Sequence, residues 1–471
     1  MKLFRFPLPD MPIERLFTPF SAMAYSLFLD SAERAHRDSN YSFIAFLPIE
    51  MIESKNGKIT ITDSERQQII HGCPFEEVEK RLQNYARLYQ QHTNTEGFWG
   101  GAAGYFGYDL ARQIEILPAS AADNENVPDM AIGIYNQFCR FDHLKDQGEY
   151  CIYAYTHDDA LQKYQNVMHM INAAPAPAFE IDTPIEWRST HDRASYENDV
   201  KNIINYIEAG DIFQANLSQR FTAKAGVSFD PYAHYCHLRA VNAAPFGAYM
   251  NIGDIKIASC SPERFLQLEN AEVETRPIKG TIARDNNPDI DLQNRRALCE
   301  SEKERAENIM IVDLLRNDIS RSCEDHSVTV PQLCALETFS KVHHLVSTIT
   351  GRLRADQTAL TLLQKAFPGG SITGAPKVRA MEIIENIETH RRGPYCGAIG
   401  YVSFNGTMDT NIAIRTLIYE GSMLHFNVGG GITAASNPAQ EYEETMAKAA
   451  AIFESFEVQT TKRKQTKAHK T

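Results

Sequence analysis

Phe404-Asn405-Gly406-Thr407 joins a strand-like run at 396–404 to another at 411–419, and Glu420-Gly421 joins that run to a third at 423–428. Asn-Gly between β-rich runs signals a hairpin, because both residues tolerate the backbone a tight turn needs. Strands closed by such short turns pair antiparallel. Further strand-like runs lie at 246–258 and 264–275, and helical periodicity marks 195–209, 291–318, 357–366, 376–388 and 438–456. Strand groups of this kind, interspersed with helices, predict an α+β fold over a doubly wound parallel sheet.

Working outward, Ala173-Ala174-Pro175-Ala176-Pro177-Ala178 is a stretch that neither a helix nor a central strand accommodates. It divides the chain into an N-terminal region 1–172, a linker 173–190, a second region 191–456 and a basic tail 457–471. In the first region, Ile59-Thr60-Ile61-Thr62 and Tyr150-Cys151-Ile152-Tyr153-Ala154-Tyr155 read as strands and 76–91 as a helix. The formal charge of −13 speaks against a broad nucleic-acid surface. Cysteines stand singly and are odd in number, so neither a zinc site nor a disulfide framework is expected. With no signal-peptide core near Pro7 and Pro9 and no long apolar run, the expectation is a cytoplasmic protein.

Chemistry-bearing residues cluster in the second region. Glu304 and Glu307 are three apart on one helical face, and so are Glu441 and Glu444. Facing each other, the pairs would suit a hard cation such as Mg²⁺; the alternative is two solvated helix faces. Gly429-Gly430-Gly431 follows a strand-like run and reads as either an anion-cradling loop or a plain turn. Pro368-Gly369-Gly370-Ser371-Ile372-Thr373-Gly374-Ala375 has P-loop spacing, but Ala375 stands where a lysine is needed, so a nucleotide is not supported. Arg415, in the strand-like Ile412-Ala413-Ile414-Arg415-Thr416, is either a carboxylate binder or half of a structural ion pair. Lys279 lies in Pro277-Ile278-Lys279-Gly280-Thr281. It is nucleophilic only if its pKa is lowered, as burial does. Glu263, in Ser261-Pro262-Glu263-Arg264-Phe265, is a proton donor or acceptor of the right type.

Taken as an ordered set, these motifs resemble the chorismate-utilising enzymes over about residues 195–455. To them belong Gly210-Asp211-Ile212-Phe213-Gln214-Ala215-Asn216, Glu307-Asn308-Ile309-Met310-Ile311-Val312-Asp313 and Gly374-Ala375-Pro376-Lys377. Over the N-terminal part, Phe28-Leu29-Asp30-Ser31 and Gly100-Gly101-Ala102-Ala103-Gly104-Tyr105 look like family landmarks. The resemblance implies a layered α/β sandwich of largely antiparallel sheets in which both parts of the chain intertwine. It implies Mg²⁺ held by Glu307 and Glu444, with Glu304 and Glu441 nearby. Lys279, Glu263 and His344 would be catalytic, and Gly280, Thr281, Ser371, Thr373, Tyr395, Arg415, Gly429, Gly430 and Gly431 would line the chorismate pocket.

Within that family, the positions of Lys279 and Gln214 separate the activities. Anthranilate synthases usually carry alanine at the former, and isochorismate and salicylate synthases a water-activating lysine at the latter. Lysine with Gln214 is the pattern of component I of aminodeoxychorismate synthases, with anthranilate synthase component I as the alternative. The resemblance further implies that ammonia comes from a separate glutamine amidotransferase subunit, and that neither nucleic acid nor membrane is a partner.

Overall fold

The computed structural model describes residues 1–89, 96–123, 126–181, 184–226, 228–339 and 342–457. The basic tail therefore lies, apart from Glu457, outside the described residues. Two twelve-stranded sheets form the frame, and every pairing between named strands is antiparallel. The first sheet runs in the order Lys2–Pro7, Gln147–Ala154, Gln137–Asp142, Tyr41–Ala45, Ser26–Asp30, Phe246–Ile252, Ile255–Ser261, Thr416–Glu420, Met423–Ile432, Gln214–Lys224 and Arg188–Ser189, with Gly374–Ala375 also paired to the Gln214 strand. The second runs Ile278–Ala283, Val342–Arg352, Glu272–Thr275, Arg264–Glu269, Met408–Ile412, Ala398–Ser403, Gly101–Phe106, Met130–Tyr135, Glu50–Lys55, Lys58–Thr62 and Gln67–His71, with Thr329–Thr338 added on the Val342 strand. Both sheets draw strands from either side of the Pro/Ala stretch. The architecture is the expected α+β.

Alternation along the strands puts one side-chain set between the sheets and the other under the helices. Met250, Ile257, Tyr105, Phe265 and Leu266 belong to the large apolar cluster shared by both sheets. Tyr249, next to Met250, joins Phe17, Phe28, Tyr235 and Phe426 in a second cluster. No helix among the described residues is long and apolar enough to cross a membrane.

Several expectations about local structure are corrected: the runs 246–258 and 264–275 are each a hairpin, Phe246–Ile252 with Ile255–Ser261 and Arg264–Glu269 with Glu272–Thr275. The run 411–419 is not one strand: Met408–Ile412 ends in the second sheet and Thr416–Glu420 begins in the first. The intervening Ala413, Ile414 and Arg415 carry the chain from sheet to sheet, and Arg415 adopts φ +51° to make the bend. The helical pattern 291–318 is two helices, Pro288–Glu300 and Glu302–Ser320, because Ser301 is extended and its hydroxyl accepts from the Glu304 amide at 3.3 Å. That is an N-cap in the middle of an apparently continuous period. Gly429-Gly430-Gly431 is not a loop but the end of the strand Met423–Ile432, paired with Ser218, Leu217 and Asn216.

A second crossing runs beside the first. Ile255–Ser261 lies in the first sheet and Arg264–Glu269 in the second, so Pro262 and Glu263 form the passage. The two passages are tied together. The Ile412 amide donates to the Glu263 carbonyl at 3.0 Å, the buried Ser261 hydroxyl donates to the Ile412 carbonyl at 2.6 Å, and the Cys260 amide donates to the Arg415 carbonyl at 3.1 Å. Ser261→Ala would remove this bond and the acceptor of the buried Glu263 amide at 3.3 Å, which costs about 1–3 kcal/mol, although the Ile412 carbonyl keeps the Ile414 amide at 2.8 Å. Urea unfolding is expected to show a loss of that size; an unchanged midpoint would mean the passages do not depend on this bond.

Candidate functional site

The site forms where the crossings meet the ends of strands from both sheets. Lys279 sits on Ile278–Ala283, an edge strand of the second sheet. Its register with the Val342 strand jumps from Ile278↔Val346 to Thr281↔His344, leaving Lys279 and Gly280 in a bulge. Bulges re-aim side chains at sheet edges. Gly280 is at φ +88°, which an L-residue rarely adopts, and a Cβ there would lie 3.1 Å from Glu304 Oε2. Gly280 thus holds the bulge open against the Glu302–Ser320 helix.

The bulge directs the Lys279 ammonium at the glycine strand. A Cβ on Gly431 would stand 2.4 Å from Gln214 Nε2 and 3.4 Å from Lys279 Nζ. Glycine here leaves room for an amide and an amine that a side chain would displace. Gly430 faces the other way along the same strand, 3.3 Å from Glu441 Oε2 and 3.5 Å from Glu444 Oε1 by the same measure. Gly429 fits because the Leu217 carbonyl would be only 2.2 Å from its Cβ. Gln214 is fully buried, and neither its Oε1 nor its Nε2 has a hydrogen-bond partner among the described residues. A buried amide with no partner is costly, which makes Gln214 a candidate to bond a ligand.

Glu263 lies buried at its passage, accepting from the Ser371 hydroxyl and the Ile278 amide. Burial outweighs these bonds and the nearby Lys279, pushing its carboxyl up to about 7. Burial pushes the Lys279 pKa down, with Lys448 adding to the shift and Glu263, Glu307 and Glu444 opposing it. The two groups are displaced toward each other, as an acid–base pair working near neutrality requires. His344 is buried with Nδ1 2.8 Å from Thr281 Oγ1 and its ring edge-on to Phe339 at 4.9 Å. Burial, with Arg415 adding, lowers it to about 4, so it is neutral at pH 7.

The remaining expected residues surround these. Ser371 lies in the turn Gly370–Ile372 and reaches Glu263. The Thr373 hydroxyl instead donates to the Gly369 carbonyl at 3.0 Å and shapes that turn. Tyr395 is buried with its ring 5.8 Å from the Arg392 guanidinium, and Arg392 in turn donates to the Ile372 and Asn216 carbonyls. Arg415 forms no ion pair among the described residues, and burial lowers its pKa. That removes the structural-pair alternative and leaves a half-buried cation available to an anion.

The acidic helices Glu302–Ser320 and Pro438–Glu454 supply four neighbouring carboxylates. Burial raises Glu307, with Glu304 adding to the shift and Lys279 opposing it. Burial likewise raises Glu441, with Glu444 adding and the Ser436 hydroxyl opposing. Glu307 Oε1 is buried and accepts no hydrogen bond. All-oxygen donors with an orphaned carboxylate oxygen fit a hard divalent cation. Among the described residues, however, no three acidic, histidine or cysteine groups already converge on one point, so the four are neighbours and not a preformed cage. Sequence reasoning passed over Lys448, whose only signal was its spacing of four from Glu444.

Glu263 carries a linkage prediction. Its folded pKa lies above the unfolded value of 4.5, so the folded state binds the proton more tightly. Stability from this group is complete below about pH 4.5 and declines as pH rises toward about 7, by on the order of 3 kcal/mol. Glu263→Gln is expected to flatten that decline in urea unfolding measured across the range; an unaltered slope would contradict a buried carboxyl titrating near neutrality.

Comparison with known proteins gives a consistent result. A sequence profile described as chorismate binding enzyme matches residues 25–454. Aminodeoxychorismate synthase component 1 of Salmonella typhimurium is 40% identical over 444 residues, covering 94% of this chain and 96% of that protein. Anthranilate synthase component 1 of Acetivibrio thermocellus is 34% identical, covering 95% and 93%. The crystal structure of anthranilate synthase component I from Streptococcus pneumoniae superposes with a TM-score of 0.78 at 34% identity, over 88% of this chain and 92% of that one.

Proposed function

The chain belongs to the family of chorismate-binding enzymes, and on that premise we propose that it makes 4-amino-4-deoxychorismate from chorismate and ammonia, as component 1 of an aminodeoxychorismate synthase. The observation that carries this reading is Lys279: a bulge aims its amine into the pocket, between Gln214 and the carboxylates, and burial favours its neutral form. The 40% identity to component 1 of Salmonella typhimurium, against 34% to the Acetivibrio anthranilate synthase, supports the same choice.

The residues divide the work as follows. Arg415 and the amides around Gly429 and Gly431 bind the enolpyruvyl carboxylate, with Tyr395 alongside. Glu304, Glu307, Glu441 and Glu444 would hold Mg²⁺, which when bound neutralises the ring carboxylate. The neutral Lys279 amine attacks ring carbon 2, the double bond shifts, and the carbon–oxygen bond at carbon 4 breaks. Protonated Glu263 supplies the proton with which the 4-hydroxyl departs as water. Ammonia then attacks carbon 4, the double bond shifts back, and the carbon–nitrogen bond to Lys279 breaks, freeing the neutral lysine. The ammonium formed at carbon 4 returns one proton to Glu263, so chorismate and ammonia give product and water. Neutral His344, fixed by Thr281, offers a hydrogen bond without adding charge beside the reacting ring. A glutamine amidotransferase subunit supplies the ammonia, in keeping with the component 1 names of the relatives.

Incubation with chorismate, Mg²⁺ and an ammonium salt tests the reading. The product is expected to retain its enolpyruvyl group, as identified by NMR. Fluorescent anthranilate with release of pyruvate would overturn it in favour of anthranilate synthase chemistry.

A further inference from the structure

The acidic faces carry cations of their own. Lys448 Nζ lies 2.7 Å from Glu444 Oε1 and donates to the Gly429 carbonyl at 2.9 Å. It therefore bridges a carboxylate on the Pro438–Glu454 helix to the glycine strand beneath it. On the facing helix, Lys303 stands 3.9 Å from Glu307 Oε1, too far for a hydrogen bond. A Glu–Lys pair four apart on a helix surface contributes little and holds its partners loosely. The Lys448 bridge differs because its second partner is a carbonyl of a sheet strand, which fixes the ammonium next to Gly430. At Gly430 the missing Cβ leaves Glu441 and Glu444 oxygens exposed to the same space.

Resting on the metal reading above, we propose that Lys448 is an internal counterion that engages Glu444 in the metal-free enzyme and must release it before a divalent cation binds. A carboxylate oxygen that would attract a divalent cation is already satisfied by an ammonium, which the Gly429 carbonyl holds in place. Binding then costs the bridge, and affinity for the metal alone is lower than the carboxylates by themselves would give. Lys303 makes no hydrogen bond to the Glu307 oxygen and acts on Glu307, Glu441 and Glu444 only through its charge, so it occupies none of their oxygens.

The test is binding of Mn²⁺ to the full chain without chorismate, with free Mn²⁺ followed by EPR, so that no turnover enters. Lys448→Met is expected to bind three- to tenfold more tightly than wild type, Lys448→Arg to match wild type within twofold, and Lys303→Met to change affinity less than twofold. Equal tightening in Lys448→Met and Lys303→Met would show a general field effect and overturn the proposal, as would no tightening in Lys448→Met. If no variant and no wild-type protein retains Mn²⁺, the metal reading itself fails and takes the proposal with it. That pattern is distinct from measurable but equal affinities.

Discussion

The site depends on two adjacent backbone passages between the sheets. At Pro262-Glu263 and at Ala413-Ile414-Arg415 the chain leaves one sheet and enters the other, and hydrogen bonds through Ser261, Ile412 and Cys260 hold the passages side by side. Glu263 and Arg415 are thus fixed by backbone on both flanks. A residue within a regular strand points to one of two faces, whereas a residue at a passage projects into the seam between layers. Glu263 and the unpaired Arg415 both occupy such positions, and the glycine strand and the Lys279 bulge flank the seam.

The seam is electrostatically unfinished. Arg415 lacks a carboxylate partner among the described residues, Gln214 buries an amide with nothing bonded to it, and Glu307 keeps one oxygen unpaired. Buried polar groups without partners lose their hydration uncompensated, which makes these groups candidates to bond a ligand. A compact dianion, as proposed for the substrate, would meet these groups with carboxylates for the arginine and polar ring substituents for the amide. Burial displaces Glu263 and Lys279 in opposite directions, raising the carboxyl to about 7 and lowering the amine, so each moves toward its neutral form.

Much of this was legible in the sequence, for identifiable reasons. Asn405-Gly406 and Glu420-Gly421 announced antiparallel hairpins, since turn chemistry is local. The acidic faces followed from spacing alone, as helical period fixes which residues are neighbours. The passages were not legible: Ala413-Ile414-Arg415 has the composition of a strand interior, and nothing local says that the sheet changes there. Gly429-Gly430-Gly431 read as a loop because glycine is usually depleted in strands. Its place in a ladder reflects the close approach of Gln214, Lys279 and the Leu217 carbonyl, all distant in sequence. Ser301 looked like one more helical position, although its capping hydroxyl is a signal that a closer reading of Ser301-Glu302-Lys303-Glu304 would have found. The bulge had a trace in Gly280, and Lys448 had one in its spacing from Glu444, but the orphaned state of Gln214 depends on packing that only the fold reveals.

The proposed chemistry turns on a bond between Lys279 and the substrate ring. Peptide mass mapping after incubation with chorismate and Mg²⁺, with ammonia withheld and the reaction quenched rapidly, tests it most directly. An adduct of chorismate less one water is expected on Lys279, absent when ammonium is supplied in excess. An unmodified Lys279 in protein that turns over fully once ammonium is added would contradict a covalent role and leave the lysine as an electrostatic group.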